Sequence, residues 1–128
     1  ALRFRAHIIA NKMKVVNELH ASYFIVTKED MHRFHFIKGD LEGVVNSPLQ
    51  IKGLKLSISL REDTERHNLV LVSLRSSNGF HCQPMAVQFF NGGGHADASG
   101  GKLYCSIAEA EQIVLKALLA FQDELKRK

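Results

Sequence analysis

Along much of the chain the spacing of apolar residues sets out a succession of short elements. Leu54, Leu56, Ile58 and Leu60 alternate with Lys55, Ser57, Ser59 and Arg61, a period of two that predicts a strand with one face wet. Leu69 to Arg75 predicts a second strand, and the charged stretch Glu62 to His67 between them reads as a hairpin loop. Upstream, Lys14 to Val16 and Ala21 to Thr27 predict two strands joined by the polar turn Asn17-Glu18. The spacing switches to helical at the far end. Ile107, Ala110, Val114, Ala117, Leu118, Phe121 and Leu125 form one apolar stripe, which predicts a helix from Ser106 to about Lys126 packed on the sheet.

Local chemistry marks the ends of several elements. Ser106 and Glu109 have capping-box spacing, in which each side chain satisfies the other residue's free amide. Lys126, Arg127 and Lys128 complement the negative end of the same helix. Thr27 is placed to cap a helical turn through Lys28 to Met31, and Asp40 to cap another over Gly39 to Glu42. Pro84 opens a brief helix bearing Met85, Ala86, Phe89 and Phe90. Leu2 to Asn11 predicts a short helix, and Lys102 to Cys105 a last strand. Strands and helices interleave without repeat or linker. The fold class predicted is α/β (α+β), one domain over residues 1–128, with a mixed or mostly antiparallel sheet packed with helices.

Composition narrows the setting. The 128 residues suffice for a core without staples, and the 45% hydrophobic and 23% charged content is that of a globular domain. No apolar run approaches a membrane span, and the start carries no secretory pattern. Ala1 in place of an initiator methionine predicts a processed protein or a piece of a longer one. Cys82 and Cys105 stand far apart and read as reduced cytosolic thiols, which points to a cytoplasmic protein. An excess of basic residues, 17 against 13 acidic, suits a polyanionic partner such as nucleotide or nucleic acid.

Candidate chemistry concentrates between Asn91 and Gly101, which holds five of the nine glycines. Gly92-Gly93-Gly94 frees the backbone to reach positive φ and removes every Cβ that would bar a ligand. Amides in such a loop can converge on an anion, more so with a helical turn starting at His95. His95 can donate to a phosphate oxygen, and Asn91 offers an amide at the mouth. A glycine-rich corner, with His95 capping something in the core, accounts for the same residues. The spacing fits neither a P-loop nor a dinucleotide fingerprint.

Asn91-Gly92-Gly93-Gly94-His95 followed by Ala98-Ser99-Gly100-Gly101 resembles the signature of the DHH-associated domain, the C-terminal partner of DHH-family phosphoesterases. Phe36 to Asn46, Ile51 to Ser57 and Ser73 to Ser76 fall where that family has similar segments. The likeness is greatest to bacterial oligoribonucleases that also dephosphorylate 3′-phosphoadenosine 5′-phosphate. Exopolyphosphatase-related and RecJ-type exonuclease branches share the motif, and alanyl-tRNA synthetases carry a distant version.

The resemblance implies that Gly92, Gly93, Gly94 and His95, with Asn91 and the pair Arg75-Ser76, hold substrate phosphates and base. It places manganese in a separate N-terminal DHH domain, the expected partner. The chain has neither Asp-His-His nor Asp-x-Asp, so no catalytic residue, metal ligand or cofactor is expected in it, and alone it should hydrolyse nothing. Expected ligands are short RNA or DNA oligonucleotides or a nucleotide bisphosphate, with homodimerisation also compatible. A polyphosphate site and a standalone RNA- or single-strand-binding module are the alternatives. Asp97 and Ser99 depart from the family pattern, which has a basic or amide residue and an alanine there.

Of the two hairpin arginines, Arg61 beside the loop reads as a solvated strand end. Seven residues of strand, roughly 23 Å, are expected to separate it from Arg75. Arg75, adjacent to Ser76 and nearer the glycines in sequence, is the choice for bidentate phosphate contact.

Overall fold

The computed structural model describes residues 13–33 and 53–127. The helices expected at Leu2–Asn11 and from Gly39 lie outside these residues. Strands β1 (Met13–Val16) and β2 (Ala21–Val26) form the expected hairpin, joined by a 3-10 turn over Asn17–Leu19 that His20 closes at φ 50°. Helix α1 (Lys28–Arg33) follows. Thr27 Oγ1 accepts from the Asp30 amide at 3.2 Å while Asp30 Oδ2 accepts from the Thr27 amide at 3.0 Å, so the predicted cap is reciprocal.

Strands β3 (Leu56–Glu62) and β4 (Val70–Ser76) make the second hairpin. Helix α2 (Gln83–Phe89), with proline in its first turn, leads to β5 (Gly93–His95) and β6 (Ala98–Leu103). The chain then enters α3 (Ile107–Ala120) and α4 (Gln122–Lys126). Among the described residues six strands lie in the order β1-β2-β3-β4-β6-β5, and only β2 and β3 pair in parallel. The sheet is therefore mixed, as expected.

One face carries the main core. Leu56, Ile58 and Leu60 of β3 and Val70, Val72 and Leu74 of β4 meet Met85, Ala86 and Phe90 around α2. Ala110, Val114, Ala117 and Leu118 of α3 close the cluster, and burying a valine, leucine, isoleucine, phenylalanine or methionine side chain stabilises by about 1.5–3 kcal/mol. The Ser106–Glu109 capping box forms with both bonds present. The single helix expected to Lys126 breaks at Phe121, whose amide turns back to the Ala117 and Leu119 carbonyls. Tyr23 and Lys14 both donate to Glu111 at 2.7 Å, tying the first hairpin to α3. Burial, and then that bond, push the Tyr23 hydroxyl up to about 12.

The opposite face corrects one expectation. Ser57 and Ser59 are fully buried rather than wet, with Ser22, Phe24 and Val26 buried on the same side. Alternation marks the pleat; it does not reveal what lies over each face. Among the described residues the hydroxyls of Ser22, Ser57 and Ser59 have no hydrogen-bond partner, and a buried unsatisfied polar group costs about 1–3 kcal/mol. Ser59→Ala is therefore expected to raise the urea midpoint, against the usual direction of core substitutions. A lowered midpoint would show that the hydroxyl is satisfied in solution.

Among the described residues no helix is long and apolar enough to cross a membrane. Cys82 is buried, Cys105 is half-buried, and both are free thiols.

Candidate functional site

The strand register brings together residues that are distant in sequence. Ser57 pairs with Arg75, Arg75 with Ala98, and Ala98 with His95. Directly opposed positions project to the same face, so Arg75 and His95 share one row. They stand two strands apart, roughly 10 Å, with only the Ala98 methyl between them. The adjacent row is Ser59, Ser73, Gly100 and Gly93, so its β6 and β5 positions have no side chain.

Arg61 corrects a second expectation. It pairs with Leu71 while Arg75 pairs with Ser57, which leaves the arginines four positions apart, roughly 13 Å rather than 23 Å. Distance is set by the cross-strand partner and not by counting along the chain. Arg61 is half-buried rather than solvated, and burial lowers its pKa. Its parity with Ser57 places it on the Arg75 face.

The glycine-rich segment is a pair of short strands rather than an open loop. Gly93, Gly94 and His95 pair with Gly100, Ser99 and Ala98, and a two-residue turn follows His95 where a helical start was expected. Its glycines divide by role. A Cβ on Gly92 would lie 1.8 Å from the Gly100 carbonyl oxygen, and one on Gly101 2.0 Å from that of Phe90. Both therefore serve the close crossing of backbones. Gly94 sits at φ +135°, where side chains are strained. A Cβ on Gly93 would meet only Val87 Cγ2, at 3.8 Å. Close packing does not require glycine there.

The remaining expected site residues fall in different places. Asn91, at φ 52°, donates from Nδ2 to the Lys102 carbonyl at 3.1 Å and pins the start of the segment. His95 is exposed, and its carbonyl accepts from Ser99 Oγ at 2.7 Å. Arg75 Nη1 donates to the Leu74 carbonyl at 2.8 Å. Ser76 alternates to the other face and is buried there. Its hydroxyl donates to Asp97 Oδ1 at 2.9 Å and accepts from the Cys82 amide at 2.9 Å.

The same Asp97 oxygen lies 3.0 Å from His81 Nδ1. The bond from His81, and after it that from Ser76, holds the Asp97 carboxyl below the usual carboxylate range. Sequence reasoning missed this cluster; its signal was the acidic residue at a position where the family has a basic or amide one. Among the described residues no three His, Cys, Asp or Glu side chains gather. They do not fit a manganese site.

A mixed sheet ending in a glycine-rich edge hairpin beside an arginine defines the class, and the comparisons agree. The chain belongs to the DHHA1 domain family, whose model matches residues 9–124. It is a DHH-associated domain of the kind found in DHH-family phosphoesterases. It is similar, at 43% identity and a TM-score of 0.91, to an exopolyphosphatase-related protein from Bacteroides fragilis, over 98% of this chain and 36% of that one.

The pGpG-specific phosphodiesterase PggH from Vibrio cholerae shares the fold at 15% identity and a TM-score of 0.62, over 93% of this chain and 39% of that one. The C-Ala domain of Aquifex aeolicus alanyl-tRNA synthetase shares it at 12% identity and a TM-score of 0.55, over 84% of this chain and 97% of that one. The chain thus spans little more than a third of the first two proteins. No curated protein gave a significant match.

Proposed function

We propose that this chain is the substrate-gripping domain of a manganese-dependent DHH phosphoesterase that acts on nucleotide bisphosphates or short oligonucleotides. The observation that carries the reading is the shared row of Arg75 and His95 beside a strip without side chains. A guanidinium contributes paired donors to a phosphate, the exposed imidazole a further donor, and Gly93 leaves the backbone open to close approach. The metals and the attack on the phosphodiester belong, on this reading, to an N-terminal DHH domain.

His95→Ala is expected to weaken binding of adenosine 3′,5′-bisphosphate, measured calorimetrically, by about tenfold or more, the size of one charge-assisted bond. Its thermal unfolding should be unchanged, because His95 is exposed. Unaltered affinity would remove His95 from the site. Manganese added to the wild-type chain should produce no hydrolysis, and rapid turnover would overturn the division of labour between domains.

An inorganic polyphosphate ligand is the second reading, favoured by the exopolyphosphatase-related relative. Competition decides between them: a nucleotide site prefers the bisphosphate to tripolyphosphate of matching charge, because only the nucleotide has a base to bind.

A further inference from the structure

We infer that Asp97 is the positioning residue of this phosphate grip, and that His81 is the cation that keeps the Asp97 charge from opposing an anionic ligand. The inference rests on the reading of Arg75 and His95 as the grip. Strand β5, which ends in His95, has only three residues and lies at the sheet edge, and so short a hairpin holds its geometry poorly unaided. Four bonds fasten its turn, Ala96-Asp97, to the body of the domain. The Ser76 amide donates to the Asp97 carbonyl at 3.0 Å, and the Gln83 amide to the Ala96 carbonyl at 3.2 Å. Ser76 Oγ and His81 Nδ1 both reach Asp97 Oδ1. Ser76 directly follows Arg75, so the bonds that hold the turn also set the spacing of Arg75 and His95.

The charge of Asp97 follows from its place. A carboxylate two residues from His95 repels any phosphate bound there unless a cation offsets it. A protonated His81, 3.0 Å from Asp97 Oδ1, is that cation. Both side chains are about half exposed, 62% for His81 and 52% for Asp97, so the pair is open to solvent. The other charged groups are Lys55, Glu124 and Arg127, which line the same cleft as His81, and Arg75 and His95, whose row lies on the face opposite Ser76.

The test is the affinity of the full chain and its variants for adenosine 3′,5′-bisphosphate from about pH 5.5 to about pH 8.5. Wild type should bind more tightly at the acid end. Asp97→Asn keeps an acceptor for Ser76 and removes the charge. It should bind on the order of threefold more tightly across the range. Asp97→Ala removes the acceptor as well and should bind more weakly throughout. His81→Gln should weaken binding at the acid end alone.

Opposite signs for the two Asp97 variants are the signature of a residue that both positions and repels; a merely structural aspartate would weaken binding in both. If these variants match wild type at every pH while His95→Ala binds weakly, the inference fails and the reading of the grip stands. If His95→Ala binds as wild type does, the reading itself falls.

Discussion

Gly101→Ala is expected to destabilise the domain by about 3 kcal/mol or more, the upper range for forcing atoms into a packed interior. The added methyl would lie 2.0 Å from the Phe90 carbonyl oxygen and 2.8 Å from its carbon, both backbone atoms that no rotamer change can move. Strand β6 would have to part from the end of α2. That would also stretch the bond by which the Lys102 amide donates to the Phe90 carbonyl at 2.9 Å. Gly93→Ala is the internal control. Its methyl meets one side-chain atom at van der Waals distance, so the unfolding free energy from urea titration should stay within about 0.5 kcal/mol of wild type. Phosphate affinity should nonetheless fall, because the methyl fills the open strip. Equal midpoints for the two variants would show that the crossing at Gly101 is looser than described.

Phe90→Ala is expected to have the other large effect, a loss of about 3–5 kcal/mol. The ring is fully buried among α2, α3 and the sheet, and the residue ends α2 immediately before Asn91. The cavity left behind would lie under the glycine hairpin. Faster hydrogen exchange at the Lys102 amide should therefore accompany the lower midpoint. A lower midpoint with Lys102 still protected would place the damage in the helical layer alone.

Much of this fold is legible where burial follows a periodic pattern. The α3 stripe and the Ser106–Glu109 box act within a single turn or a single face, so sequence spacing describes them directly. Strands β3 and β4 are legible for the same reason. The glycine hairpin is not, because nothing in Gly-Gly-Gly-His or Ala-Ser-Gly-Gly favours a strand. Those residues pair because Gly92 and Gly101 let backbones approach, a property of the partner rather than of the segment.

For the candidate site, the residues Arg75 and His95 were legible through the family motif, whereas their alignment in one row depends on register. Register also explains why Arg61 came nearer than expected, and why Ser76, next to Arg75 in sequence, faces the other way. The buried serines show the limit from the other side, since Ser57 and Ser59 alternate as solvated positions would and are nonetheless fully buried.

The one parallel seam among the described residues, between β2 and β3, bears on how the chain assembles. Most other pairings join neighbours: β1 with β2, β3 with β4, β5 with β6. The parallel pair alone requires the whole stretch from Thr27 to Lys55 to close before its first bond is made, an entropic barrier that local hairpins avoid. The unit from β3 to α3 can therefore collapse first around its own apolar cluster, with the leading hairpin docking late along a seam of buried serines. Mutations on that seam should act mainly on the rate of unfolding, and those in the α2–α3 cluster on the rate of folding.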